Sequence, residues 1–200
     1  MLSLSEALRA IEGSVAIARR DPDASRFFDL SADAFWRSFA VVIFLVPLYF
    51  IVSAAETRML FEMRDQITGT PPGYWDLLIS NLTTLGIEWF AYPIAILFIA
   101  PLFSVGQRVS PYIIVYNWSS LMISLVMVPN FVLYLLGVFP IAMAVLVNFG
   151  LVLAVVWYRF LLAREVLGAP IGTAIGFVAL DVVLSLFISS AIEYAIIGPL

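Results

Sequence analysis

Five apolar stretches, near residues 35–55, 85–105, 111–132, 138–162 and 171–197, leave this chain little choice of solvent. Each supplies the roughly 20 residues that cross about 30 Å of hydrocarbon at about 1.5 Å per residue. Inside hydrocarbon every backbone N–H and C=O must be satisfied within the protein, and a run of this length does so as a helix. The expected fold is therefore all-α, a polytopic integral membrane helical bundle of about five transmembrane helices over residues 35–200. Residues 1–34 form a short cytoplasmic amphipathic segment ahead of it. With 63% hydrophobic and 12% charged residues, the chain stands well outside soluble domains, whose apolar share is about one half.

The apolar run over 112–162 is too long for one crossing, and Pro129, Asn130 and Gly137 mark a tight hairpin within 129–138. Arginines give the sidedness, because cytoplasmic loops hold the excess of basic charge. Arg9, Arg19, Arg20 and Arg26 precede the first span with Arg37 at its very start, Arg108 follows the second, and Arg159 with Arg164 lies around the junction of the fourth and fifth. Only Arg58 and Arg64 fall on the other side, so the N-terminus is expected in the cytoplasm and the C-terminus outside. Short loops and the lack of a targeting segment favour a bacterial inner membrane.

The external segment, residues 56–84, reads as an interfacial cap, with Met59, Leu60 and Met63 on one helix face before a Gly-Thr-Pro-Pro-Gly break. Tyr74, Trp75, Trp36, Tyr112, Trp157 and Tyr158 sit at expected span ends, where amphipathic rings favour the headgroup level. Asn81-Leu-Thr83 matches a glycosylation acceptor pattern that occurs often by chance.

Acidic residues throughout residues 1–30, without a continuous apolar core, do not fit a cleavable signal peptide. Met1, Leu4, Leu8, Ile11, Val15 and Ala18 recur at helical spacing, Ser3 with Glu6 fits a capping box, and Pro22 closes the segment. Such a stripe lies either in the headgroup region or on the protein's own cytoplasmic face.

The chain contains no His, Cys or Lys; all ten basic residues are Arg. Imidazole and thiolate ligands are thereby excluded, and with them ordinary haem, zinc, blue-copper and iron–sulfur sites. Serine–histidine and cysteine nucleophiles, Schiff bases and the P-loop lysine are excluded as well. No metal or cofactor is expected. The net charge of −4 and scattered arginines do not suit nucleic acid.

Ionisable groups inside a span cost about 2.5–3.5 kcal/mol each, so each needs a partner, a water-filled cavity or a task. Asp181 falls near the middle of the fifth span. Glu88 and Glu193 fall near outer span ends, where solvation is the simpler reading. Ser185, Ser189 and Glu193 follow Asp181 at steps of four and extend one polar stripe. Asn117, Ser119, Ser120, Ser124 and Asn148 are its candidate partners on other spans. Either this seam is interhelical glue, worth about 0.6–2 kcal/mol per bond, or Asp181 is a proton or cation site. No Arg is expected deep in a span, so a protonated acid or a bound ion is the expected state of Asp181.

Gly168, Gly172 and Gly176 have the small-residue spacing that lets helices approach closely, within the chain or between subunits. Prolines 47, 93, 101, 129 and 140 interrupt or bound spans, and one near Glu88 can open its helix. The two halves of the chain show no evident repeat.

The order of N-terminal segment and five spans, with the stretch from Tyr158 through Leu167-Gly-Ala-Pro170 into Ala174-Ile-Gly176, resembles bacterial members of the Yip-domain family over residues 90–198. The resemblance implies a non-enzymatic membrane protein that associates with other proteins, in eukaryotes with vesicle traffic and Rab GTPases. This chain lacks the long cytosolic N-terminal domain of the eukaryotic members, and no functional residue of the family maps onto it. Three functions follow as expectations. The first is an accessory subunit or scaffold of a membrane complex, with the lipid bilayer and other subunits or itself as partners. The second is a small transporter or proton or cation pathway through Asp181. The third is an intramembrane enzyme using carboxylates alone, for which the acids are widely separated.

Overall fold

The computed structural model describes residues 3–66 and 70–198, so Met1 lies outside it. Helices run α1 (Leu4–Ala18), α2 (Ala32–Ser38), α3 (Val42–Glu62), α4 (Tyr74–Ile99), α5 (Val109–Leu135), α6 (Ile141–Glu165) and α7 (Ile171–Ile196), and no strand occurs among the described residues. Five segments, counting α2 with α3, are long and apolar enough to cross a membrane. The protein is an integral membrane helical bundle. Contacts run α3 to α4, α4 to α7, α7 to α6, α6 to α5 and α5 back to α3, closing a ring. α5 also carries α1 and α2, and it buries residues around its whole circumference, including Tyr112, Ile113, Ile114, Val115 and Trp118. α6 and α7 are covered least and turn Leu146, Phe149, Leu186 and Phe187 outward, toward lipid.

Two boundaries differ from expectation. The second span begins at Tyr74, not near residue 85, because the helix starts directly after the Pro71-Pro72-Gly73 break and includes the polar Asn81, Thr83 and Thr84. Those polar groups are tolerated where they find partners: the Asn81 amide donates to Glu56 Oε2 at 2.6 Å and to Ser53 Oγ at 3.0 Å on α3. Asn81 is thus part of a helix seam and not an open glycosylation acceptor. Met59 and Leu60 belong to α3 itself, which leaves no separate cap helix over them. The hairpin lies at residues 136–140, past Pro129 and Asn130, which are inside α5. Gly137 adopts φ +74, and the N–H groups of Gly137 and Val138 return to Tyr134 and Leu133, a left-handed C-terminal cap. Asn130 ties the hairpin by donating to the Ala144 carbonyl at 3.0 Å.

α1 is seated on the bundle, but by a different face from the expected one. Ser3 Oγ caps it by accepting the Glu6 N–H at 3.1 Å. The buried side is Ala7, Ala10, Gly13, Ser14 and Ile17, whereas Leu4 and Leu8 are 73% and 54% exposed. Small side chains decide this, since they let the α1 backbone come close to α5 and α6. Tyr158 on α6 donates to the Ser14 carbonyl at 3.1 Å, and its hydroxyl lies 3.0 Å from Ser119 Oγ on α5. Tyr112 and Tyr158 are therefore buried structural residues and not interfacial anchors, while Trp36, Trp75 and Trp157 are exposed.

Arg37 on α2 joins this end of the protein by donating to Asp29 at 2.8 Å and lying 3.4 Å from Glu6 on α1. The Asp29 carboxyl is held below its ordinary range, first by the Ser31 backbone N–H, then by the Ser31 hydroxyl and Arg37. A carboxyl depressed in the folded state adds stability above its unfolded pKa, about 3.9, and loses it as pH falls through the lower folded value. Thermal unfolding in detergent is thus expected to occur at lower temperature as pH drops from about 5 toward 2, with a smaller drop in Asp29→Asn. An equal drop in both would show that Asp29 plays no part.

Candidate functional site

Residues of α4, α5, α6 and α7 line a cavity of about 330 Å³ that is open on one side. Asp181 enters it from α7, ten residues past the start of that helix and so about 15 Å along it. Its Oδ1 accepts from the Tyr116 hydroxyl on α5 at 2.8 Å, and its Oδ2 lies 3.8 Å from Arg159 Nε on α6. Both side chains are largely shielded, at 12% and 18% exposure for Arg159 and Asp181. The guanidinium lies 3.6 Å from the Tyr116 ring centroid, donates to the Tyr116 carbonyl at 3.3 Å, and donates to Ser120 Oγ at 3.0 Å. Nη1 and Nη2 thus each donate one hydrogen bond within the protein, while Nε meets Asp181 as an ion pair beyond hydrogen-bond distance. Tyr92 on α4 stacks on Tyr116 with centroids 4.7 Å apart and meets the Tyr112 hydroxyl at 2.7 Å.

This arrangement corrects the expected state of Asp181. The charge count groups Arg159 with Arg164 at the cytoplasmic junction of the fourth and fifth spans, but α6 continues to Glu165, and Arg159 points into the bundle beside the acid. The sequence does hold a signal: Phe160, Leu161, Leu162 and Ala163 follow Arg159, so the apolar segment has not ended there. Tyr116 is the partner the sequence does not single out, although it directly precedes Asn117.

Glu88 is corrected in depth. The early start of α4 moves it from a span end to mid-helix, where it lines the same cavity and accepts from Ser185 Oγ at 2.7 Å. Among the described residues no cationic side chain lies within 4.0 Å of Glu88, and its Oε2 accepts no hydrogen bond. Asp181 and Ser185 thus share one wall, but the polar stripe on α7 does not continue. Each step of four drifts about 40° around the helix. Ser189 bonds only its own Leu186 carbonyl at 3.2 Å, and Glu193 is exposed at the far end.

Asn117 and Asn148 are not partners of Asp181. Asn117 donates to Ser38 Oγ on α2 at 3.0 Å, and neither residue lines the cavity. Ser119 is taken by Tyr158 and Ser14, and of the expected serines only Ser120 reaches the site, through Arg159. The glycines also divide. Gly168 forms the turn between α6 and α7 at φ +72, where a Cβ would lie 2.5 Å from the Arg108 guanidinium. Gly172 and Gly176 face outward with nothing within 4 Å of an added Cβ, so they pack against no helix of this chain.

In comparisons with protein-family models, curated proteins and solved structures, nothing matches this chain.

Proposed function

We propose that this protein is a small transporter or ion pathway that takes up a monovalent cation or a proton at Glu88. One observation carries this reading: a carboxylate in the middle of α4 opens onto a cavity whose single guanidinium is already paired with the neighbouring Asp181. With all three groups ionised, Glu88, Asp181 and Arg159 leave one negative charge uncompensated. An acid in hydrocarbon needs a partner, and here the remaining partner has to come from outside the chain. The sequence leaves Asp181 as either interhelical glue or the ion site; the ion pair favours the structural role for Asp181, holding Arg159 and Tyr116 in place, and leaves Glu88 as the ion site of this reading.

The arginines near α1, together with Arg108 and Arg164, support a cytoplasmic position for the α1 end and an inner-membrane location in a bacterium. A second reading, the accessory subunit or scaffold that the Yip-domain resemblance implies, is supported by the open Gly172 and Gly176 face. It forms a groove of about 510 Å³ bordered by Ile99, Phe103 and Phe177.

Proteoliposomes carrying the full chain are expected to show saturable cation flux that falls about ten- to a hundredfold in Glu88→Gln, the equivalent of one charge-assisted contact of about 1.5–3 kcal/mol. Flux indifferent to Glu88→Gln in a folded protein would overturn the proposal.

A further inference from the structure

The cavity is far larger than the ion that the charge count requires. At about 330 Å³ it holds the volume of roughly ten waters, whereas a proton or a bare monovalent ion needs only its coordinating oxygens. Its size falls in the range of small-molecule sites, about 300–1,000 Å³. Its surface is divided: Glu88, Asp181, Arg159, Tyr92, Tyr116 and Ser185 supply the polar groups, while Met127, Val152, Val155, Val156, Val178 and Ile188 line the rest. Val152, Val182 and Leu186 both line the cavity and stand 42%, 38% and 63% exposed on the periphery of the bundle. A residue with both properties marks a mouth, and this mouth faces hydrocarbon between α6 and α7.

We infer that the cation is a primary or secondary alkylammonium, an amphipathic molecule that enters sideways from the bilayer, places its N–H donors on Glu88 and lays its chain along the valine wall. This rests on the cation reading of Glu88 above. The free acceptor Glu88 Oε2 calls for a donor, which a quaternary ammonium lacks. An anion is disfavoured because Glu88 and Asp181 together outweigh the one guanidinium that lines the cavity. Aromatic recognition of the cation is restricted too, since the Tyr116 ring carries Arg159 and stacks with Tyr92.

The test uses the full chain in zwitterionic lipid nanodiscs, with protein-free discs as the reference for partitioning. Probes are ethyl-, butyl- and hexylammonium, tetramethylammonium and sodium. Hexylammonium is expected to bind saturably, one per chain, with affinity rising about three- to fourfold per methylene along the series. Tetramethylammonium is expected to bind at least about tenfold more weakly than its size predicts, for want of a donor. Glu88→Gln is expected to weaken hexylammonium binding about ten- to a hundredfold. Val152→Trp, which narrows the mouth without touching Glu88, is expected to slow association severalfold. If Glu88-dependent binding is seen for sodium or protons but shows no dependence on chain length, the alkylammonium inference is overturned while the cation reading stands. If no probe, sodium included, binds in a Glu88-dependent way, both fall. The chain-length series and Val152→Trp need no change at Glu88, so a misfolded Glu88→Gln leaves the inference open to refutation.

Discussion

Arg159→Met is expected to lower the stability of the bundle by about 3–5 kcal/mol, and adding Asp181→Leu to the same chain is expected to restore most of it. The single substitution leaves a carboxylate largely shielded from water with only the Tyr116 hydroxyl to meet it. It also removes one donor each from the Tyr116 carbonyl and Ser120, although these two stay joined by the Ser120 hydroxyl, so most of the cost falls on the carboxylate. The double substitution removes the charge that made the single one costly. Buried ion pairs replaced by apolar residues of similar volume are often neutral or stabilised, since desolvation of two charges offsets most of their attraction. The coupling read from the cycle is therefore expected to exceed about 2 kcal/mol. Reversible unfolding in mixed micelles of mild detergent and SDS measures all four corners. Singles that add without coupling would mean that water from the cavity solvates each group separately, and that Asp181 does not need Arg159. Arg159→Lys is a sharper probe still, because an ammonium supplies the charge but not the planar fork that reaches Asp181, the Tyr116 carbonyl and Ser120 together.

That ion pair also shows how far the sequence reaches. The five crossings are legible because their length and apolarity follow from bilayer thickness, which no packing detail can override. Asp181 is legible for the same reason: an acid at depth requires explanation whatever surrounds it. What surrounds it is not legible, because which side chains meet depends on helix order and rotation. The order α3, α4, α7, α6, α5 brings Tyr116, Arg159 and Glu88 together from three helices. Glu88 is misjudged for a local reason. Asn81, Thr83 and Thr84 lower the hydropathy of the first turns of α4, so a window places the span start after them, yet Ser53 and Glu56 on α3 satisfy Asn81 inside the bundle. Periodicity misjudges α1 in the opposite way. It follows the large apolar residues Leu4 and Leu8, while the seat belongs to the small residues Ala7, Ala10, Gly13 and Ser14, which carry less weight in an apolar stripe than leucine.

Gly13→Ala gives the second large effect, and its sign is diagnostic. On an isolated helix, replacing an interior glycine by alanine stabilises by about 1 kcal/mol, because glycine loses more backbone freedom on ordering. Here the added Cβ would lie 2.5 Å from Phe28 Cε2, 2.8 Å from Phe28 Cζ and 2.7 Å from Phe27 Cβ. The Phe28 ring tip borders a cavity that it shares with Ile17 and Ala24, but Phe27 Cβ is fixed to the backbone and can give way only if the chain shifts. Overpacking of this kind costs about 1–3 kcal/mol, which exceeds the propensity gain and reverses the sign. Gly13→Leu cannot be seated at all, so α1 is expected to leave α5 and α6, stranding the Ser14 carbonyl and the Tyr158 hydroxyl that it now covers. Amide hydrogen exchange reads this directly. Protection of the amides from Ala7 to Ile17 is expected to fall by up to about thirtyfold in Gly13→Ala, the net of about 2 kcal/mol at most, and to vanish in Gly13→Leu, while α3 and α4 keep theirs. Protection that rises in Gly13→Ala would place α1 off the bundle, lying on the membrane surface by its leucines, and would remove the contact between its Ser14 and the α5 and α6 residues Ser119 and Tyr158.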